Sequence, residues 1–310
     1  MSYFSVVIPT HNRARLLDAC LTSVFAQRFV DYDVVVVDDG STDDTPAVLA
    51  RYGDRVRVCR QQNRGPGAAR NVGIRHAQGR YVAFLDSDDV WFPWTLEVYA
   101  RAIGEAHEPA FVAGKPALFR SLEELRQVAE LEPAVLTFDD YYASGEEWRW
   151  WGVSSFVVRA DALADAGGFT DEWINGEDAD LAMRLGLASG FVQVCAPCTF
   201  GYREHAGSAI ASLERTHAGA RYAVTMEQAG RYPGGRARAR ERRRILTRHV
   251  RPVILECLRE SRHRDAWRMY RATFVWHLQL RRWRFLLGFP ALTLSALWRN
   301  GIAGTSVANS

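Results

Sequence analysis

Residues 81–89 read Tyr81-Val82-Ala83-Phe84-Leu85-Asp86-Ser87-Asp88-Asp89. Five apolar residues in a row predict a strand buried on both faces. The run stops at three carboxylates, with only Ser87 between them. Like charges this close are unfavourable unless a cation neutralises them or water screens them. Carboxylate oxygens are hard ligands suited to Mg²⁺ or Mn²⁺. In an open α/β sheet, ligands gather beyond the carboxyl ends of the strands. A strand ending in Asp-x-Asp is therefore a candidate seat for a divalent metal that holds a diphosphate. A solvated acidic turn is the plain alternative.

Upstream, Ser5-Val6-Val7-Ile8 reads as a short strand closed by Pro9, with Asn12 placed to cap the next helix. Leu17, Cys20, Leu21 and Val24 recur at helical spacing. Val34 to Val37 is a β-branched run of the kind buried in parallel sheets. It too ends in acids, Asp38-Asp39-Gly40-Ser41, and Asp43, Asp44 and Pro46 suggest another helix start. Val56 to Val58 is a third strand, and residues 62–71 (QNRGPGAARN) form a Gly/Pro loop running into a helix. Residues 5–89 thus alternate β-α-β-α-β-α-β, which implies right-handed crossovers and a mainly parallel sheet. Three strand ends converge on one crevice, carrying His11 and Asn12, Asp38 and Asp39, and Asp86 to Asp89.

Downstream, residues 93–104 read as a helix, and Ser121 with Glu124 as a capping box. Residues 137–152 hold Tyr141, Tyr142, Trp148, Trp150 and Trp151 without periodicity, suiting an acceptor-facing loop or a cover for the sheet. Residues 153–158 predict a strand, and residues 160–166 a short helix stopped by Gly167-Gly168. Glu177, Asp178 and Asp180 open a further helix. Acids at a helix N-terminus stabilise it by up to about 1 kcal/mol, which is their plain reading. Residues 191–194 predict another strand, and Tyr202 to His205 a loop after it.

At this point the residues resemble a family. SVVIPTHNR, VVVVDDGSTDDT, QNRGPGAARNVGI, YVAFLDSDD and GGFTDEWINGEDADLAMR stand in the order and at the spacing of family 2 glycosyltransferases, over about residues 4–208. The resemblance implies a GT-A fold, an α/β Rossmann-like mixed sheet, mainly parallel and flanked by helices. It implies an inverting, nucleotide-sugar-dependent transferase. Asp39, with Pro9, Thr10 and His11, would hold the nucleobase, although many relatives carry an aromatic ring where His11 stands. Arg70 resembles the residue that supports the nucleotide. Asp86 resembles the acid near ribose and metal, Asp88 the direct metal ligand, Asp178 the general base, and His205 a late histidine that approaches metal or diphosphate. A surface histidine is the other reading of His205.

The chemistry asks for the same residues. A nucleoside diphosphate leaves more readily when its developing charge meets a cation. An alcohol acceptor must lose its proton to a positioned base as it attacks. Inversion places that base on the sugar face opposite the leaving group, so two separate acidic sites are needed. The expected cofactor is Mn²⁺ or Mg²⁺. The expected donor is a nucleoside-diphosphate sugar, UDP-linked by preference, and the acceptor a glycan or lipid-linked hydroxyl in bacterial polysaccharide or envelope synthesis. A metal-dependent nucleotidyltransferase also uses a parallel sheet, a Gly-rich loop and acids on a metal, but has no obvious use for the GGF…GED segment. A non-catalytic sugar-nucleotide module would not need both acid sites.

Composition divides the chain. Up to Gly230 there are 21 basic and 32 acidic residues, a net −11, whereas residues 231–284 carry 17 arginines against four acids, a net +13. The expected organisation is a catalytic domain over 1–225, with a nucleotide-sugar half (1–105) and an acceptor half (106–225), followed by an Arg-rich helical extension over 226–310. In that extension residues 285–298 are apolar, interrupted by Pro290 and too short to span a bilayer. Flanked by arginines, they resemble an interfacial anchor on an anionic membrane surface. Helices packed on the catalytic domain, or against another copy in a homo-oligomer, are the alternative. No nucleic-acid-binding motif accompanies the arginines. Five cysteines at 20, 59, 195, 198 and 257 form no disulfide framework, and no signal-peptide pattern opens the chain. The expected location is cytoplasmic, peripheral on the inner face of the membrane.

Overall fold

A computed structural model of the chain describes residues 2–145, 152–204 and 212–306, with side chains through 294. The chain packs as two compact units, Met1–Trp173 with Glu177–Ser208, and Ile174–Gly176 with Ala209–Ser310. The expected functional border at 225/226 falls inside a helix of the second unit, Leu213–Gln228.

In the first unit β1 (Phe4–Thr10), β2 (Tyr32–Asp38), β3 (Arg57–Arg60) and β4 (Tyr81–Phe84) pair in parallel. Helices α1 (Ala14–Phe25), α2 (Thr45–Ala50) and α3 (Pro66–His76) connect them. The later elements are β5 (Val90–Trp91), α4 (Thr95–Glu105), β6 (Phe111–Ala113), β7 (Pro116–Phe119), α5 (Leu122–Leu125), β8 (Ala134–Phe138), β9 (Phe156–Arg159), α6 (Ala160–Asp165), α7 (Glu177–Arg184), β10 (Phe191–Ala196) and β11 (Phe200–Arg203). The main sheet runs β3-β2-β1-β4-β9-β6-β10-β8, with β9 and β8 antiparallel to their neighbours, so it is mixed and mainly parallel. A small second sheet runs β5-β11-β7.

The chain leaves β1 for β2 on one side and returns to β4 on the other, so the strand order reverses between β1 and β4. Ligands bind at such switch points in open α/β sheets. Every residue of β1 and β4 is buried, because helices cover both faces. Val6, Ile8, Val36 and Ala83 meet Leu17 and Leu21 of α1 in the core. On the other face Gly73 lets α3 lie close, since a Cβ there would come within 2.3 Å of Val7 Cγ1.

Several local expectations change. Asn12 does not cap α1. It takes a left-handed φ of 52° and accepts N–H bonds from Thr42 and Asp43, while Asp43 accepts from Ala14 N across the crevice. The Ser121 hydroxyl makes no cap bond; Glu124 accepts from Arg120 N instead. The strand expected from 153 begins at Phe156, because Ser154 turns its hydroxyl to the acids after β4. Tyr141 and Tyr142 are buried, Tyr141 against Phe111 and Phe191, so this pair covers the sheet. Trp148, Trp150 and Trp151 lie outside the described residues. Cys195 and Cys198 are half-buried free thiols.

The second unit holds α8 (Leu213–Gln228), α9 (Ala239–Arg259), α10 (His263–Gln279) and α11 (Trp283–Ser306). Glu227 of α8 is 4% exposed and accepts from Arg242 Nε at 2.6 Å and Arg243 Nε at 3.1 Å. Part of the basic run is therefore internal structure. Pro290 does not break the apolar run, which continues as helix α11. Its missing N–H would free the carbonyl of Leu286, and the Tyr270 hydroxyl donates to that oxygen at 2.8 Å. No helix among the described residues is long and apolar enough to cross a membrane.

Candidate active site

β4 delivers Asp86, Asp88 and Asp89 to the switch point, each offering an oxygen within 4.8 Å of the others. They differ in role. Asp89 is 3% exposed and accepts from Ser154 Oγ at 2.6 Å and from Arg203 N at 3.0 Å. Burial, and then the charges of Asp88 and Asp86, hold its carboxyl well above the usual range. Asp89 is thus a tether for the loop. Arg203 of β11 also donates to the Asp88 carbonyl at 2.8 Å, so the small sheet fixes the acids from the far side. The side chains of Asp86 and Asp88 keep 33% and 21% of their surface open. Arg13 stands 3.7 Å from Asp88.

Arg70 of α3 is 3% exposed and joins two acids. Its Nη2 donates to Asp86 at 2.6 Å and its Nη1 to Glu177 at 2.7 Å. One guanidinium therefore ties the end of β4 to the start of α7. The surrounding GPGAARN segment is a docking face for residues 169–171. Gly67 admits the Thr170 carbonyl, which a Cβ would meet at 2.6 Å. Asn71 accepts from Phe169 N and donates to its carbonyl.

α7 opens with three acids, of which two are committed. Glu177 is held by Arg70, and Asp180, 1% exposed, by Arg184 at 2.9 Å. Asp178 keeps part of its surface open, and among the described residues its carboxylate accepts only from Ala179 N, at 2.8 Å. Its pKa is pushed up to about 7, first by desolvation deep in the crevice and then by the charge of Glu177; Ala179 N–H and Arg70 pull the other way.

The nucleotide side is built from β1 and β2. Asp39 is 3% exposed; Oδ1 accepts from Gln61 Nε2 and Arg64 N, and Oδ2 from Gly65 N. A carboxylate has about four acceptor positions, so Oδ2 retains one. His11 Nδ1 lies 2.9 Å from the Asp39 carbonyl and Nε2 3.0 Å from Asn63 Nδ2. The consistent assignment is a neutral ring with the proton on Nδ1. Thr10 Oγ1 is buried without a partner, a vacant hydrogen-bonding group beside this loop. Pro9 is buried in the ladder opposite Val37, so it can only shape the backbone.

The crevice thus gathers Thr10, His11, Asp39, Arg70, Asp86, Asp88 and Asp178. His205 lies outside the described residues. Sequence reading did not reach Glu177 as the partner of Arg70, nor Ser154, Arg203, Gln61 and Asn63. The only local hint was Arg70 itself, a cation inside a small-residue segment. The others act across 22 to 115 residues of chain. A hard divalent cation fits the acids present: Arg70 balances one of the two charges on Asp86 and Glu177, and Asp86 and Asp88 retain open carboxylate surface.

The mixed, mainly parallel sheet flanked by helices is that of the GT-A fold. Residues 5–156, just under half of the chain, match the family described as glycosyl transferase family 2. It is 38% identical over 103 residues to an uncharacterised glycosyltransferase of Rickettsia felis, covering 33% of this chain and 17% of that one. It is 38% identical over 113 residues to the poly(ribitol-phosphate) beta-N-acetylglucosaminyltransferase TarS of Staphylococcus aureus (strain Mu50), covering 34% and 20%. The matches thus span a fifth or less of these two relatives' length. The fold is similar to the crystal structure of S. aureus TarS 1–349 with UDP-GlcNAc, at a TM-score of 0.65 and 24% identity over 81% of this chain and 73% of that one.

Arg70→Met leaves two partly buried carboxylates without a cation, and urea unfolding is expected to show a loss of about 3–5 kcal/mol. Adding Glu177→Gln should recover part of it; strict additivity in that double-mutant cycle would deny the bridge.

Proposed function

We propose that the chain transfers a sugar from a nucleoside diphosphate, UDP by preference, to the hydroxyl of a glycan or lipid-linked acceptor, with inversion. The carrying observation is Asp178: it is the one acid in the first turn of α7 not committed to an arginine. The acceptor oxygen attacks the anomeric carbon, its proton passes to the Asp178 carboxylate, and the bond from that carbon to the diphosphate oxygen breaks. A base poised near neutrality suits this transfer. Arg70 positions Asp86 and Glu177 on either side of the reacting groups. Asp86 and Asp88 would hold Mn²⁺ or Mg²⁺, which supplies positive charge to the departing diphosphate. Asp39 and Thr10 supply an acceptor and a hydroxyl for the nucleobase side, with the neutral ring of His11 as a wall.

The UDP preference is supported by the similarity to TarS, one of whose structures carries UDP-GlcNAc. An envelope or polysaccharide acceptor is supported by the name of that relative, which acts on a poly(ribitol-phosphate). The second unit adds a surface for an anionic membrane. Phe274, Val275, Leu278, Trp283, Leu287 and Leu294 are exposed there. Exposed Arg271, Arg281 and Arg284 accompany them on the same two helices and their connection. Each arginine near such a surface contributes about 1 kcal/mol. This reading places the enzyme on the inner face of the cytoplasmic membrane, where a lipid-linked acceptor would be met.

Three outcomes test the reading. Asp178→Asn is expected to lower transfer by 10²-fold or more, in the range of a lost general base, while UDP binding by calorimetry stays within about threefold. In the unaltered enzyme, kcat/KM should rise with pH through a limb near 7 as the carboxyl loses its proton. That limb should vanish in the variant's residual rate, and its persistence would move the base elsewhere. Second, Asp88→Asn should weaken Mn²⁺ binding, measured by titration with UDP present, by at least tenfold; an unchanged affinity places the cation on other ligands. Third, the protein should sediment with phosphatidylglycerol vesicles at low salt and be released at high salt. Full recovery in the supernatant at low salt would assign the apolar face to protein packing.

A further inference from the structure

One large apolar side chain at the crevice has no place in the reaction just described. Trp173 is 52% exposed, yet it is not loosely held. Its ring lies on Gly65, where a Cβ would stand 3.4 Å from Cδ2. Gly65 has a φ of 90°, a conformation that side-chain-bearing residues rarely adopt, so the surface beneath the indole is bare backbone. The same Gly65 donates its N–H to Asp39, which ties this seat to the nucleotide loop. On the other side Trp173 stands four residues before Glu177 and five before Asp178. The segment leading to it is pinned to α3 by Asn71, through Phe169 and Asp171. The indole thus lies on the donor loop, half its surface open, and stands four residues of chain before the helix that carries Asp178.

We infer that the open surface of Trp173 is the platform on which the acceptor sugar stacks, and that the acceptor presents a pyranoside ring to Asp178. This rests on the transferase reading above. An indole face carries the negative end of the ring quadrupole and meets the polarised C–H face of a pyranose favourably. The seat is pre-organised, so little rotamer freedom is lost on binding. The nucleobase side already has its walls in Thr10, His11 and Asp39. The acceptor side, next to Asp178, has no other exposed aromatic ring among the described residues of that segment.

The experiment uses the full chain labelled with 5-fluorotryptophan, with Trp173→Phe identifying the Trp173 fluorine resonance. Methyl β-glycosides of glucose, N-acetylglucosamine and galactose are titrated with UDP and Mn²⁺ present. The Trp173 resonance is expected to move saturably with at least one glycoside. Trp173→Ala should then weaken that glycoside by about tenfold or more, the scale of an aromatic hot spot, with Trp173→Phe intermediate and the UDP dissociation constant held within twofold. No response to any of the three glycosides would overturn the inference. So would a full shift with UDP alone and loss of UDP affinity in Trp173→Ala, since that outcome makes the indole a nucleobase platform. Failure of the transferase reading is separate: it would appear as no release of UDP, from UDP-sugars, by the unaltered enzyme.

Discussion

Arg70 is the constraint on which the crevice depends. A buried guanidinium cannot lose its proton, so it must be met by negative charge. Here it is met twice, by Asp86 from the end of β4 and by Glu177 from the start of α7. Desolvating such a group is costly and its pairing is weak evidence of net stability, but removing one partner is strongly unfavourable. The bridge therefore acts more as a specification than as glue. It requires the acids after β4 and the first turn of α7 to face one another across a single planar cation. Gly67 beside Arg70 follows from the same requirement, because a bulkier residue there would collide with the Thr170 carbonyl.

The acids of the site are sorted by what touches them. Asp39, Asp89, Glu177 and Asp180 are each engaged by donors of the chain itself, and they give the crevice its shape. Asp88 and Asp178 keep open surface, and Asp86 is shared between the two groups. Exposure separates them: Asp39, Asp89, Glu177 and Asp180 are buried, whereas Asp86, Asp88 and Asp178 are only half-buried and can be reached from the crevice. The raised pKa of Asp178 comes first from desolvation in the crevice and then from the charge of Glu177 beside it.

Much of this was legible in the sequence because it is local. Apolar runs mark β1, β2 and β4, the last two ending in acids, and their alternation with helical spacing dictates a parallel sheet and a crevice at its carboxyl edge. Asp86 and Asp88 could be named from their place after a strand, whereas the roles expected of Asp39 and Asp178 came from the family resemblance. What was not legible is the pairing across the fold. Asn12 looked like a helix cap because a cap is the commonest local use of asparagine. Its actual partners, Thr42 and Asp43, are brought by the next loop. Ser154 looked like strand residue 154, and only the sheet order places it under Asp86 and Asp89. Pro290 looked like a break, because the hydroxyl that substitutes for its missing N–H, that of Tyr270, stands on another helix, 16 residues from the freed Leu286 carbonyl.

The Arg70–Glu177 contact closes a stretch of 107 residues, and this bears on when the chain becomes competent during its synthesis. β1 to β4 and their helices can pair from local crossovers as soon as they emerge, whereas contacts this distant in sequence form late. On the proposed mechanism, a nascent chain ending before α7 would carry the acids proposed for nucleotide and metal but not the proposed proton acceptor. It could hold a sugar nucleotide without being able to hand the sugar to water or to any passing hydroxyl. Competence would then arrive with the final return of the chain, and the donor would be protected from wasteful hydrolysis by the order in which the molecule is made.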